Sequence, residues 1–179
     1  MKKETKKQLL IGATLVLELL FLLLYLNGRI DRLLDSDMSS EMILGQLLAR
    51  NNGILSDQWY YSTELRVLNT QLIYALFFRL SSNWHFVRMA STLVLWCVLI
   101  ASYGVLCRVM GCKKSFGVTA LLLAAPVSES YFRFVLAGVY YVPHLAIAFA
   151  ALALNEAYFK AKPDRKKFWL VVSVLLALV

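Results

Sequence analysis

Long apolar runs alternate with short charged breaks along this chain, and the length of each run decides what it can form. Residues 9–26 (LLIGATLVLELLFLLLYL) are apolar almost throughout, long enough to cross the bilayer as one helix. Similar runs at 86–110, 116–131 and 140–158 predict three further spans. Residues 168–179 (FWLVVSVLLALV) start a fifth, but a span needs roughly 20 residues. The expectation is therefore the N-terminal part of a longer protein, inactive without the helices that follow.

Residues 27–85 are too polar to span and form one loop on the side where the first helix emerges. Within it, Met38, Met42, Ile43, Leu44, Leu47 and Leu48 recur at helical spacing, with cap candidates at 36–40 and a stop signal at Asn51, Asn52 and Gly53. A second stripe, Leu65, Leu68, Leu72, Ile73, Leu76 and Leu80, predicts another amphipathic helix over 63–80, its polarity supplied by Arg66, Asn69, Gln71 and Arg79. Both helices suit a membrane surface. Trp59, Tyr60, Tyr61, Trp84 and His85 suit headgroup depth. The predicted fold is thus an all-α polytopic membrane domain over 1–179, with about four complete spans, a started fifth, and two juxtamembrane helices in the first outer loop.

Charge sets the orientation. All ten lysines fall at 2–7, 113–114 and 160–167, and the loop 27–85 contains none. The positive-inside rule puts those three clusters and the N-terminus in the cytoplasm and the loop outside the cell membrane. Reading 65–80 as a span would invert everything downstream, against the lysine distribution.

Composition agrees, with 60% hydrophobic residues and a mean hydropathy of +0.64. The formal charge of +8 sits beside hydrophobic runs, and no nucleic-acid motif accompanies it. Anionic membrane lipid accounts for it better. No small-residue cleavage site follows residue 26, so the first run is not a signal peptide. Cys97, Cys107 and Cys112 lie toward the inner end of the second span, without zinc spacing and in a reducing compartment.

Candidate chemistry concentrates just past the first span. Asp35 and Asp37, with Glu41 one turn on, could bind a divalent ion or take a proton from an incoming hydroxyl. Helix capping and dipole complementarity explain the same residues without function, and spacing alone favours that reading. Arg66 could engage phosphate oxygens bidentately, or pair with Glu64, or snorkel to headgroups. Glu18 is an ionisable group in mid-span, where a structural partner is the expected role.

The order of an inward-rooted span, an acidic motif, an amphipathic helix ending in NNG, a second juxtamembrane helix, then HFVRMASTLVLWCVLIASYGVLCRVMGCKKSFGVTALLLAAPV resembles the N-terminal half of C-type (GT-C) membrane glycosyltransferases. It is most similar to their protein O-mannosyltransferase and aminoarabinose-transferase branch, and the likeness covers nearly the whole chain. The resemblance implies transfer of a sugar from a polyprenyl-phosphate donor to a hydroxyl of a glycan, lipid or protein on the outer face.

By position Asp37, with Asp35 as alternative, would be the aspartate that activates the acceptor as general base, and Arg66 would face the donor phosphate. Family members commonly carry Asp-Glu, whereas Met38 follows Asp37, so a second acid would have to be Glu41. Arg88 matches a family arginine that opens the second span and reads as an anchor. Glu129 and His144, with Glu64, are secondary candidates; where some relatives carry an aspartate before a proline, this chain has Val142 before Pro143, with His144 following. No cofactor follows from the sequence, although a divalent cation fits the acids. The competing class is a non-catalytic polytopic protein, a transporter fragment or scaffold, which gives the outer acids no special role.

Overall fold

The computed structural model describes residues 2–61 and 69–177, and all regular structure among them is helical. The order is α1 (Lys2–Asn27), α2 (Ser36–Asn51), α3 (Thr70–Phe78), α4 (Trp84–Met110), α5 (Lys113–Ala124), α6 (Glu129–Ala137), α7 (Val142–Lys160) and α8 (Pro163–Ala177). Three helical stretches are long and apolar enough to cross a membrane: Thr5–Asn27, Trp84–Met110 and Val142–Lys160. The pair α5 and α6 makes a fourth if counted as one broken span. Large apolar side chains of α1, among them Leu9, Leu17, Phe21 and Leu24, point away from the protein, as lipid-facing residues do.

The run 116–131, read as one span, is broken. Helix α5 stops at Ala124, and α6 leaves it at 90°. Pro126 is the physical cause: it removes a backbone donor and drives Ala125 into an extended conformation, ψ 136°. Ser128 then caps the new direction by accepting from the Tyr131 amide at 3.1 Å. The Tyr131 hydroxyl donates to the Leu123 carbonyl at 2.6 Å, satisfying an acceptor at the end of α5 across the bend.

Helix α6 widens into a π-helix over Phe132–Ala137, and the indole of Trp96 on α4 donates to the Leu136 carbonyl at 2.9 Å. Val139, which follows, is fully buried with φ +55°. That left-handed conformation costs a β-branched residue about 1–3 kcal/mol and is sustained by the packing around it.

All three lysine-bearing breaks gather at one end of the bundle. The Lys160 ammonium, at the end of α7, donates to the Val109 carbonyl near the end of α4 at 2.8 Å. Near the start of α1, Ile11 packs so close to Gly117 of α5 that a Cβ there would lie 2.7 Å from it. At the opposite end His85, on the first turn of α4, bridges Asp31 at 3.0 Å and Asn27 at 3.1 Å, tying the end of α1 to the start of α4.

Helices α2 and α3 pack together at this acidic end. Asp35 caps α2, one residue before the expected cap positions, by accepting from the Met38 amide at 2.9 Å. The stop signal works as read: Asn51 is the last helical residue, Asn52 turns left-handed at φ 50°, and the Gly53 amide donates to the Leu48 carbonyl. Of the expected stripe, Met38, Met42, Leu44 and Leu48 are buried, whereas Ile43 is exposed. The second stripe yields a shorter helix than 63–80, and its residues 63–68 lie outside the described residues.

Gly45 is the tightest point of this pair. A Cβ there would lie 2.6 Å from the Tyr74 Cβ and 3.0 Å from the Gln71 carbonyl oxygen. Because two of its three nearest atoms are backbone, neither helix can yield locally. Gly45→Val is expected to cost about 1–3 kcal/mol by pushing α3 off α2. Thermal unfolding in detergent measures it, and an unchanged midpoint would mean that the helices are not held this closely.

Candidate functional site

The acidic end holds a half-open cavity of about 390 Å³ between α2, the loop after it, α3 and the turn into α7. Its walls include Asp37, Ser40 and Glu41 from the first turns of α2, and Trp59, Tyr60 and Tyr61 from the loop. Gln71 comes from α3, and Tyr140 and Tyr141 from the approach to α7. Two carboxylates thus face a ring of aromatic side chains.

Buried contacts fix the position of α2 beneath this cavity. The Arg88 guanidinium, 2% exposed, donates to the Ile30 carbonyl at 2.6 Å, to the Leu33 carbonyl at 3.4 Å and to the Met38 sulfur at 2.9 Å. One side chain of α4 therefore orients both the segment leaving α1 and the first turn of α2. Gly138 closes the other side. A Cβ on it would meet the Met38 methyl at 2.7 Å and the Arg133 carbonyl oxygen at 2.5 Å, so only glycine lets α2 approach the turn carrying Tyr140 and Tyr141.

The three acids of α2 have different surroundings. Asp35 is occupied as the cap. Glu41 accepts from the Asn69 amide nitrogen at 3.2 Å and from the Thr70 hydroxyl at 2.9 Å, so it braces the start of α3 as well as lining the cavity. Asp37 is exposed in the cavity wall, and its carboxylate has no hydrogen-bond partner among the described residues. It stands in the first turn of α2.

Tyr140 is a neutral donor at physiological pH, since burial, with Asp35, Tyr141 and Asp37 nearby, pushes its phenol up to about 12. Tyr74, buried below α2, is shifted upward by the same loss of solvent.

The remaining candidates are dispersed. Arg66 and Glu64 lie outside the described residues; Tyr61, just before that segment, lines the cavity, and Asn69, just after it, holds Glu41. Glu129 is exposed at the start of α6 and does not line the cavity. His144 is exposed on the first turn of α7 and meets the cavity only through Tyr141, their ring centroids 6.1 Å apart in an edge arrangement. Glu18 is half-buried in α1 with no ion pair among the described residues.

Among the described residues no group of three or more His, Cys, Asp or Glu side chains could hold a metal ion.

Several lining residues were not read as site residues from sequence. Trp59, Tyr60 and Tyr61 suited headgroup depth, Tyr140 and Tyr141 suited the start of a span, and Gln71 suited the polar face of a surface helix. The available signal was the recurrence of adjacent aromatics, WYY and YY, beside polar loops. Chemically, the cavity offers an unpartnered carboxylate, flat apolar faces for stacking and a neutral phenol to hydrogen-bond an oxygen. No protein-family model, curated protein or solved structure matches this chain.

Proposed function

We propose that this chain belongs to a membrane glycosyltransferase that moves a sugar from a polyprenyl-phosphate donor to an acceptor hydroxyl on the extracytoplasmic face. The observation that carries the reading is the position of Asp37 at the edge of the aromatic cavity, unpartnered while its two neighbouring acids are engaged. The topology supports it, because the lysine-rich end opposite the cavity is the cytoplasmic end by the positive-inside rule.

In this reading the Asp37 carboxylate takes the proton of the acceptor hydroxyl as its oxygen attacks the anomeric carbon. The bond from that carbon to the phosphate oxygen breaks, and polyprenyl phosphate leaves with the electron pair and the negative charge. Inversion follows from attack opposite the leaving group. Arg66 steadies the departing phosphate, which is the main electrostatic demand of the step. Trp59 and the tyrosines stack against the sugar, and Tyr140 donates to one of its oxygens.

The test is transfer by the complete protein in proteoliposomes supplied with polyprenyl-phosphate sugars. Transfer is expected, with Arg66→Ala raising the donor KM by about tenfold or more, the worth of a charge-assisted phosphate contact. No transfer from any such donor would favour the non-catalytic reading, and an unaltered donor KM would remove Arg66 from its role.

A further inference from the structure

We infer that the lysine-rich end carries a second site, specific for a phosphate-bearing anion of the membrane surface, in the turn between α7 and α8. It is independent of the transfer reading. A cavity of about 420 Å³ opens there, lined by Ala157, Lys160, Lys162, Asp164, Arg165 and Trp169. The cavity is open to its surroundings rather than enclosed, so a headgroup can reach it from outside. Small side chains line it at Ala157, on the last turn of α7, and at Ala161, just after that helix ends.

The basic groups there are arranged unequally. Lys160 is committed, paired with Glu156 at 2.8 Å and donating to the Val109 carbonyl at 2.8 Å. It fixes the turn against the end of α4 and holds the cavity open. Lys162 and Arg165 line the same cavity, and neither side chain has a hydrogen-bond or ion-pair partner among the described residues.

Asp164, on the rim, offsets one of these charges. The neighbouring Lys166, its ammonium 5.4 Å from the centre of the Tyr158 ring, and Lys167 restore the excess of positive charge. Trp169 supplies an indole at the wall, an amphipathic group suited to the plane where headgroups meet tails.

A guanidinium and an ammonium converging on one cavity bind phosphate oxygens, the first bidentately and the second as a point charge. A phospholipid headgroup and free phosphate share this chemistry. The apolar run of α8 that follows the cavity favours the lipid.

The experiment uses the complete protein in nanodiscs of phosphatidylcholine with increasing phosphatidylglycerol, read by native mass spectrometry of lipid retained after extraction. One phosphatidylglycerol should be retained per chain in preference to phosphatidylcholine. The double variant Lys162→Ala, Arg165→Ala should lower that preference by about thirtyfold, as two cations near a membrane surface are worth. Lys113→Ala, Lys114→Ala, which removes equal charge from the same end, should leave it nearly intact.

Equal loss in both variants, or no preference in the unaltered protein, would overturn the site, because diffuse charge would then suffice. Displacement by millimolar inorganic phosphate would identify the soluble anion as the ligand, and retention against it the lipid. Should the double variant fail to fold, Lys162→Gln and Arg165→Gln made singly should each cost about fivefold, and no loss in either would overturn the site equally.

Discussion

Asp37→Asn is expected to lower sugar transfer by about 10²–10⁴-fold, the range a positioned general base contributes, while Asp35→Asn leaves it within a few-fold of the starting rate. The two substitutions are isosteric and remove the same charge from the N-cap and the first turn of α2, two residues apart, so the comparison isolates position. Asp35 acts through one oxygen that accepts from the Met38 amide, and asparagine caps a helix as well as aspartate does. Asp37 makes no such bond among the described residues, and in the proposed transfer its carboxylate takes the acceptor's proton. Thermal unfolding should be nearly unchanged in both variants, so that a lost rate reports chemistry. Equal rates for the two, or a larger loss with Asp35→Asn, would transfer the role or remove it.

Arg88→Ala should be the most damaging single change to stability, by about 3–5 kcal/mol. The Ile30 carbonyl, beside a fully buried side chain, would lose its donor, and the Leu33 carbonyl would lose another. Each orphaned acceptor costs about 1–3 kcal/mol, and the void left by a long side chain adds to it. Arg88→Lys should recover little, because one ammonium cannot reach both carbonyls and the Met38 sulfur as the planar fork does. The readout is the detergent unfolding midpoint, together with protease cleavage in residues 28–35, which should speed up as that segment is released. An Arg88→Ala protein with an unchanged midpoint would show that the guanidinium is not the tie described.

How far the sequence revealed all this depended on whether the determinant was local. Run length and Asn51-Asn52-Gly53 are local signals, and α4 and the ends of α1 and α2 came out close to their expected limits, although α1 begins at Lys2 rather than near Leu9. Pro126 is local too, but it lies inside the apolar run 116–131 that reads as one span, whereas it turns the chain through a right angle. The three lysine clusters were readable as a group because lipid imposes one rule on all of them.

The site was legible only in part. Asp35, Asp37 and Glu41 could be picked out by type, but what separates them is partner choice: the Met38 amide for one, Asn69 and Thr70 for another. Asn69 and Thr70 lie far along the chain from Glu41, and nothing in the spacing announces that pairing. The same holds for Tyr140 and Tyr141, which reach the cavity because Gly138 admits Met38 beside them.

The shortness of α5 has a consequence for how the chain meets the bilayer. Twelve residues rise about 18 Å, little more than half of a hydrocarbon layer about 30 Å thick. Where α6 swings aside at Pro126, no straight continuation of that helix walls off the remaining depth. Alone α5 cannot bridge such a layer, so α5 and α6 either cross it together as one broken span or dip in and return on the same side.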